Sequence, residues 1–145
     1  MRLRLEHRIG VKAPASKIWS VVSDLDRWSS WNPLYPQASG TLRIGAKLNL
    51  TEAVPGQPHD QISPQVVDWA PDTQILWRDK TFGGFVKRLR YLEIEKLTEE
   101  GCIFANGEIY EGFAVRFMSK SLRGSLRRGF ADLGEALKAT VEHRA

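Results

Sequence analysis

Apolar and polar residues alternate from the start of the chain. Leu3, Leu5, His7, Ile9 and Val11 share one side, and Arg2, Arg4, Glu6, Arg8 and Lys12 share the other. A period of two is that of a half-buried strand. Pro14 then suits the first turn of a helix, where its missing N–H is not needed. Ile18, Val22 and Leu25 form a short apolar face with Trp19 beside it, and the segment Trp28-Ser29-Ser30-Trp31 breaks at Asn32-Pro33. Leu42 and Ile44 predict a short strand closed by Gly45, and Leu48 and Leu50 predict another, ended by Pro55-Gly56. Pro64 confines the stretch Ile62 to Trp69 to a sheet edge or a bulge.

Pro71-Asp72 turns the chain into Ile75-Leu76-Trp77, and the tip Phe82-Gly83-Gly84-Phe85 leads into a long alternating strand from Arg88 to Leu97. Glu99-Glu100-Gly101 reads as a hairpin turn before a last strand, Cys102 to Tyr110. From about Ser119 the period changes. Leu122, Leu126, Phe130, Leu133, Leu137 and Val141 recur every three or four residues, the stripe of an amphipathic helix. Such a helix of roughly 20 residues spans about 30 Å, enough to cross a sheet. Strand, two short helices, consecutive hairpins and one long helix make an α+β pattern, with an antiparallel sheet covered by the terminal helix.

The 145 residues correspond to a single domain, 1–145, with no repeat or linker. No apolar run reaches the roughly 20 residues of a membrane span, and the first residues lack a signal-peptide core, so a cytoplasmic protein is expected. A net charge of +4 is too small to imply a nucleic-acid partner. The single Cys102 can form no internal disulfide and reads as a small buried or edge residue. His7, His59 and His143 lack metal-ligand spacing, and His7, on an apolar strand face, reads as a hydrogen-bonded core residue. Neither a metal nor a cofactor is expected, since no phosphate loop, nucleotide fingerprint or nucleophile elbow is present.

Several of these residues, in this order, resemble the START-like, helix-grip superfamily, and within it the bacterial polyketide cyclase/dehydrase and lipid-transport group. They are Ile9 to Pro14, Trp19, Asp24, Trp31-Asn32-Pro33, Gly45, Pro71 ahead of Ile75-Leu76-Trp77, Leu92-Glu93-Ile94, Gly107-Glu108-Ile109-Tyr110-Glu111-Gly112 and Arg128-Gly129-Phe130. The resemblance implies a START-like helix-grip fold, a curved antiparallel sheet wrapped around the C-terminal helix with two short helices after the first strand. It also implies a deep apolar cavity between sheet and helix. Many relatives carry histidines where this chain has Arg90 and Asn106, so acid–base chemistry is not carried over.

Alternation places Arg88, Arg90, Leu92 and Ile94 on one side of their strand, and Phe104, Asn106, Glu108 and Tyr110 on one side of the next. A hairpin about Glu99–Gly101 would bring both sets to one face, where Arg90 and Glu108 meet as a pair, because an unpaired buried charge is prohibitive. Such a pair can be a plain ion pair, an anchor for an acidic ligand group through Arg90, or an acid–base pair with Glu108 as general base. Trp77 is the candidate cavity wall and Trp31 the candidate mouth, with Phe82 and Phe85 as a gate beside the Gly-Gly hinge.

The ligand-binding set is therefore Trp31, Trp77, Phe82, Phe85, Arg90, Leu92, Asn106, Glu108, Tyr110 and Phe130. The expected function is binding of a hydrophobic or aromatic small molecule, such as a lipid or polyketide, as carrier or sensor. A cyclase or dehydratase that uses Glu108 and Arg90 is the alternative, and a membrane-associated lipid-binding chaperone is a second. Arg116, Lys120, Arg123 and Arg127 form a basic helical stripe that is either a solvated face or a contact for a membrane or an acidic protein.

Overall fold

The structure, a computed structural model, describes residues 1–143. Strand β1 (Arg2–Val11) is followed by helix α1 (Ala15–Val22) and a 3₁₀ turn (Leu25–Ser30). Pro14 caps α1 in extended conformation, and the helix stops where the Ser23 hydroxyl donates to the Trp19 carbonyl at 2.6 Å. Strands β2 (Gln37–Ser39), β3 (Asn49–Glu52) and β4 (Asp60–Ile62) form a small antiparallel sheet. Strands β5 (Gln65–Ala70), β6 (Gln74–Thr81), β7 (Val86–Thr98) and β8 (Gly101–Glu111) join β1 in a five-stranded antiparallel sheet of order β1-β8-β7-β6-β5. Helix α2 (Lys120–His143) lies across it. This is the START-like helix-grip fold, with two short helical segments after the first strand.

The apolar stripe of α2 becomes its buried face: Leu126, Phe130, Leu133, Leu137 and Val141 pack on Leu5, Val11, Leu92 and Phe104 in one core. Small residues let the layers approach. A Cβ at Gly134 would lie 2.6 Å from Nδ1 of His7, so the helix rests on β1 at that point. His7 is only half-buried, and its Nδ1 has no hydrogen-bond partner among the described residues. Packing against Gly134, rather than a hydrogen bond, fixes this ring. The far end of α2 is tied down by Lys138, whose ammonium donates to the Gly10 carbonyl at 2.8 Å, and by Glu142, whose carboxylate accepts the Lys12 N–H at 2.9 Å.

Leu42 and Ile44 form no strand. Ile44 is 64% exposed, and Gly45, at φ +88°, turns the chain so that its N–H donates to the Val66 carbonyl. The partner of β3 on that side is Gln37–Ser39 instead. Pro64 acts as anticipated: it separates β4 from β5, and β5 is an edge strand with a bulge between Val66 and Asp68. Cys102 is buried, with its thiol donating to the Ala13 carbonyl at 3.4 Å. No helix among the described residues is long and apolar enough to cross a membrane.

Candidate functional site

Strands β7 and β8 pair in the register Arg88↔Tyr110, Arg90↔Glu108 and Leu92↔Asn106. Side chains at these positions point toward α2 and are buried, so alternation did place both polar sets on the concave face. The side chains nevertheless sort into two separate groups, one deep and one at the mouth.

The deep group is built on Arg90, which is fully buried. Its Nε donates to the Tyr35 hydroxyl at 2.8 Å, Nη1 to the carbonyls of Tyr91 and Gly107 at 2.9 Å each, and Nη2 to Oδ1 of Asn106 at 2.9 Å. Asn106 in turn donates to the Phe130 carbonyl at 3.0 Å on α2. The guanidinium lies 4.6 Å from the Phe130 ring centre and 5.9 Å from that of Trp77, within cation–π range. Tyr35 is brought inward by the Asn32-Pro33 turn, in which Oδ1 of Asn32 accepts the N–H groups of Leu34 and Tyr35. Trp28 and Trp77 pack on Tyr35, with ring centres 5.7 and 5.6 Å from it. Burial raises the Tyr35 hydroxyl well above its usual range, against the pull of Arg90. The deep end of the implied cavity is thus filled.

The mouth group is built on Arg88. Its Nε donates to Oδ1 of Asp79 at 2.6 Å and Nη2 to Oδ2 at 2.5 Å, a bidentate pair, while Nη1 donates to Oε1 of Glu52 at 3.1 Å. Oε2 of Glu108 lies 4.0 Å from Nε, and Oε1 of Glu108 accepts the Tyr110 O–H at 2.5 Å. Arg90 and Glu108 are cross-strand neighbours but not partners, because Arg90 turns to neutral oxygens and Glu108 to Arg88 and Tyr110. Burial raises the Glu108 carboxyl, and it outweighs the lowering by Arg88; Glu52 raises it further, while Arg90 and the Tyr110 O–H lower it. Burial, then Glu108, pushes the Tyr110 hydroxyl well up. For Arg88, burial lowers the guanidinium but the carboxylates, Glu108 foremost, raise it more, so it remains charged.

Above this cluster lies a cavity of about 420 Å³ between β3–β4, the β6–β7 tip and the first turns of α2. Its floor is Glu52, Arg88 and Tyr110, its apolar walls are Val54, Phe82, Met118, Leu122 and Leu126, and Gln57, His59, Asp60 and Thr81 add polar lining. A larger furrow of about 760 Å³ crosses the outer face of the sheet under Lys80, Lys87 and Leu89, and no residue of α2 lines it. Arg88 borders both cavities and Asp79 the outer furrow, but only the mouth cavity joins that polar cluster to apolar residues of α2, which makes it the candidate site.

Of the expected ligand residues, Tyr110 and Phe82 line this cavity and Glu108 sits beneath it. Trp77, Arg90, Leu92, Asn106 and Phe130 belong to the packed interior. Trp31 stands edge-on to Trp28 at 6.4 Å, away from the mouth, and Phe85 is exposed beyond the lip. Sequence reasoning missed Glu52, Asp79, Tyr35 and Met118. Asp79 carried a signal: it is two residues after Trp77, on the same side of β6, and pairs across the sheet with Arg88. Glu52 arrives from the small sheet, and local periodicity gave no sign of it.

A sequence model of the family described as polyketide cyclase / dehydrase and lipid transport matches residues 2–139. Among solved structures, the chain is similar to a START superfamily protein from Mycobacterium smegmatis, with 20% identity, 96% of this chain and 97% of that one covered, and a TM-score of 0.75. It is similar to the Zhui aromatase/cyclase from a Streptomyces species, with 17% identity, 99% and 96% covered, and a TM-score of 0.77. Norcoclaurine synthase from Thalictrum flavum, solved in complex with dopamine and hydroxybenzaldehyde, aligns with 18% identity, 100% and 90% covered, and a TM-score of 0.73. At these identities the likeness is one of fold. A curated protein, oxopyrrolidines biosynthesis cluster protein O of Penicillium oxalicum, is 38% identical over 52 residues, 28% of this chain and 26% of that protein. The chain thus matches about a quarter of that relative's length.

Proposed function

For a chain that belongs to the polyketide cyclase / dehydrase and lipid transport family, we propose that it binds a hydrophobic or aromatic small molecule in the mouth cavity, as carrier or sensor. The observation that carries this reading is the cavity itself: about 420 Å³, lined by apolar side chains of α2 and its neighbours together with several polar groups, the character of small-molecule sites. The polar floor selects the ligand's head group. Glu52, Asp79 and Glu108 outnumber the single guanidinium of Arg88, so a carboxylate is disfavoured and a hydroxyl, phenol or amine fits. We give Arg90 no part in anchoring an acidic group, because it is fully buried and four of its five N–H donors are already used by protein oxygens.

The test uses a neutral fluorescent probe, N-phenyl-1-naphthylamine, and native mass spectrometry of the purified chain. The wild type is expected to bind the probe saturably. Leu126→Trp, which fills the cavity from α2, should abolish binding, whereas Arg78→Ala on the outer face should not. Absence of saturable binding, or equal binding in Leu126→Trp, would overturn the reading. A retained mass identifies the natural ligand's chemical class.

One observation favours a second reading, a cyclase or dehydratase. Glu108 holds a proton more tightly than an ordinary carboxyl and accepts the O–H of Tyr110, a residue that lines the cavity. Such a pair is able to protonate or deprotonate a bound carbonyl compound. Turnover would then fall in kcat rather than rise in KM when Glu108 becomes Gln.

A further inference from the structure

Among the described residues, five of the seven exposed large apolar side chains gather at one edge of the molecule, around the cavity mouth. Phe82 and Phe85, on the β6–β7 tip, are 47% and 63% exposed, and Phe113 and Phe117, on the turn between β8 and α2, are 64% and 68% exposed. The two segments abut: the Ala114 N–H donates to the Phe85 carbonyl at 3.3 Å. Phe113 and Phe117 stand edge to face at 5.9 Å, and the Arg116 guanidinium lies 5.2 Å from the Phe113 ring centre. Met1, also exposed, is held to the same turn by the Gly112 N–H. Isolated exposed apolar residues are ordinary, whereas a cluster of this kind marks a contact surface.

The two segments that carry these rings hold charge of one sign, although the exposed Asp60 and Glu111 lie nearby. From Gly112 to Ala131 the chain carries Arg116, Lys120, Arg123, Arg127 and Arg128 and no Asp or Glu; from Lys80 to Arg90 it carries four more cations, again without a carboxylate. Of these, Arg88 and Arg90 are buried. Lys80, Lys87, Arg116, Lys120, Arg127 and Arg128 form no ion pair among the described residues. Like charges so placed repel one another, and an anionic surface relieves that.

We infer that this aromatic and basic rim docks the protein on an anionic lipid bilayer. The phenylalanines sit on two projecting turns rather than in a groove, a shape suited to entering a head-group layer. The cations behind them face lipid phosphates. Phe82 belongs both to the rim and to the cavity wall, so docking sets the cavity mouth against the bilayer. The docking surface stands on its own geometry; its use in loading a ligand from the membrane rests on the ligand-binding reading.

The test is flotation of the full chain with vesicles of phosphatidylcholine alone or mixed with phosphatidylglycerol, at low and high salt. The wild type should float with the anionic vesicles, stay largely behind with the neutral ones, and lose binding as salt rises. Phe113→Ser with Phe117→Ser, and separately Arg116→Glu with Lys120→Glu, should each lower the bound fraction roughly tenfold. Probe binding in the cavity should persist in both variants, which separates failure of docking from failure of the ligand site. No binding to anionic vesicles, or binding untouched by either pair of substitutions, overturns the inference. A concentration-dependent dimer that Phe117→Ser dissolves, without vesicle binding, also overturns it and assigns the rim to a second copy of the chain.

Discussion

Arg88 and Arg90 stand two residues apart on β7, face the same interior and are both buried, yet they are held in opposite ways. Arg90 is surrounded by neutral oxygens and by the rings of Tyr35, Trp77 and Phe130. Arg88 is surrounded by three carboxylates. The first arrangement spreads the charge over groups that do not titrate in the ordinary pH range, and it joins α2, β7, β8 and the Asn32 turn into one block. The second keeps its counter-charges as carboxyl groups beside a cavity. The difference teaches where this fold is permanent and where it is adjustable: a buried cation is structural when its partners are backbone and amide oxygens, and chemically open when they are carboxylates.

The largest break in that comparison is Arg90→Ala. It leaves Oδ1 of Asn106, two carbonyls and the Tyr35 hydroxyl without their donor and opens a cavity among the rings. A loss of about 4 kcal/mol of stability is expected, with a weaker dependence on pH than at Arg88 because Arg90 lowers Glu108 less than Arg88 does, read as the shift of a denaturation midpoint. Arg88→Ala should cost less, about 3 kcal/mol at neutral pH, and its cost should depend on pH. Without the guanidinium, Glu52, Asp79 and Glu108 repel one another, so the folded state takes up protons more readily than the unfolded chain. The deficit should shrink as pH falls toward the carboxylate range. An Arg88→Ala deficit that stays constant with pH would show the two sites to be equivalent.

Glu108→Gln sharpens the same contrast with the smallest effect. Burial raises the folded-state value of Glu108 above that of an ordinary carboxyl. Its protonated form is therefore favoured by folding, and that contribution is complete below the unfolded value and lost as pH rises through the folded one. Gln keeps the Tyr110 hydrogen bond without titrating. Midpoints across a pH series should show the variant gaining on the wild type as pH rises, and a parallel pair of curves would remove Glu108 from the account.

Much of this was legible in the chain. The change of period at Ser119 gave α2, and alternation about the Glu99–Gly101 turn gave the hairpin and the inward face of Arg88, Arg90, Asn106 and Glu108. What alternation conveys is the face of a sheet, not the partner on it. Arg90 and Glu108 share that face and a cross-strand position, but Tyr35, delivered by the turn at Asn32, reaches Arg90 first. Glu52 reaches Arg88 across 36 positions of sequence, a separation that no local pattern encodes. The false strand at Leu42 and Ile44 has a related cause. Two alternating apolar residues are compatible with pairing, but pairing needs a free partner edge, and β3 already holds Gln37–Ser39.

The pairing of β1 with β8, in which Arg2 faces Glu111 and Val11 faces Cys102, bears on how the molecule comes into being. The first strand waits for the last, so this sheet closes only after nearly the whole chain has emerged. Contacts that span so much sequence slow folding. Until they form, the alternating face of β1 and the stripe of α2 have nothing to cover them, and the newly made chain passes through a sticky, half-assembled stage. Exposure of such faces before closure is the condition under which folding competes with aggregation.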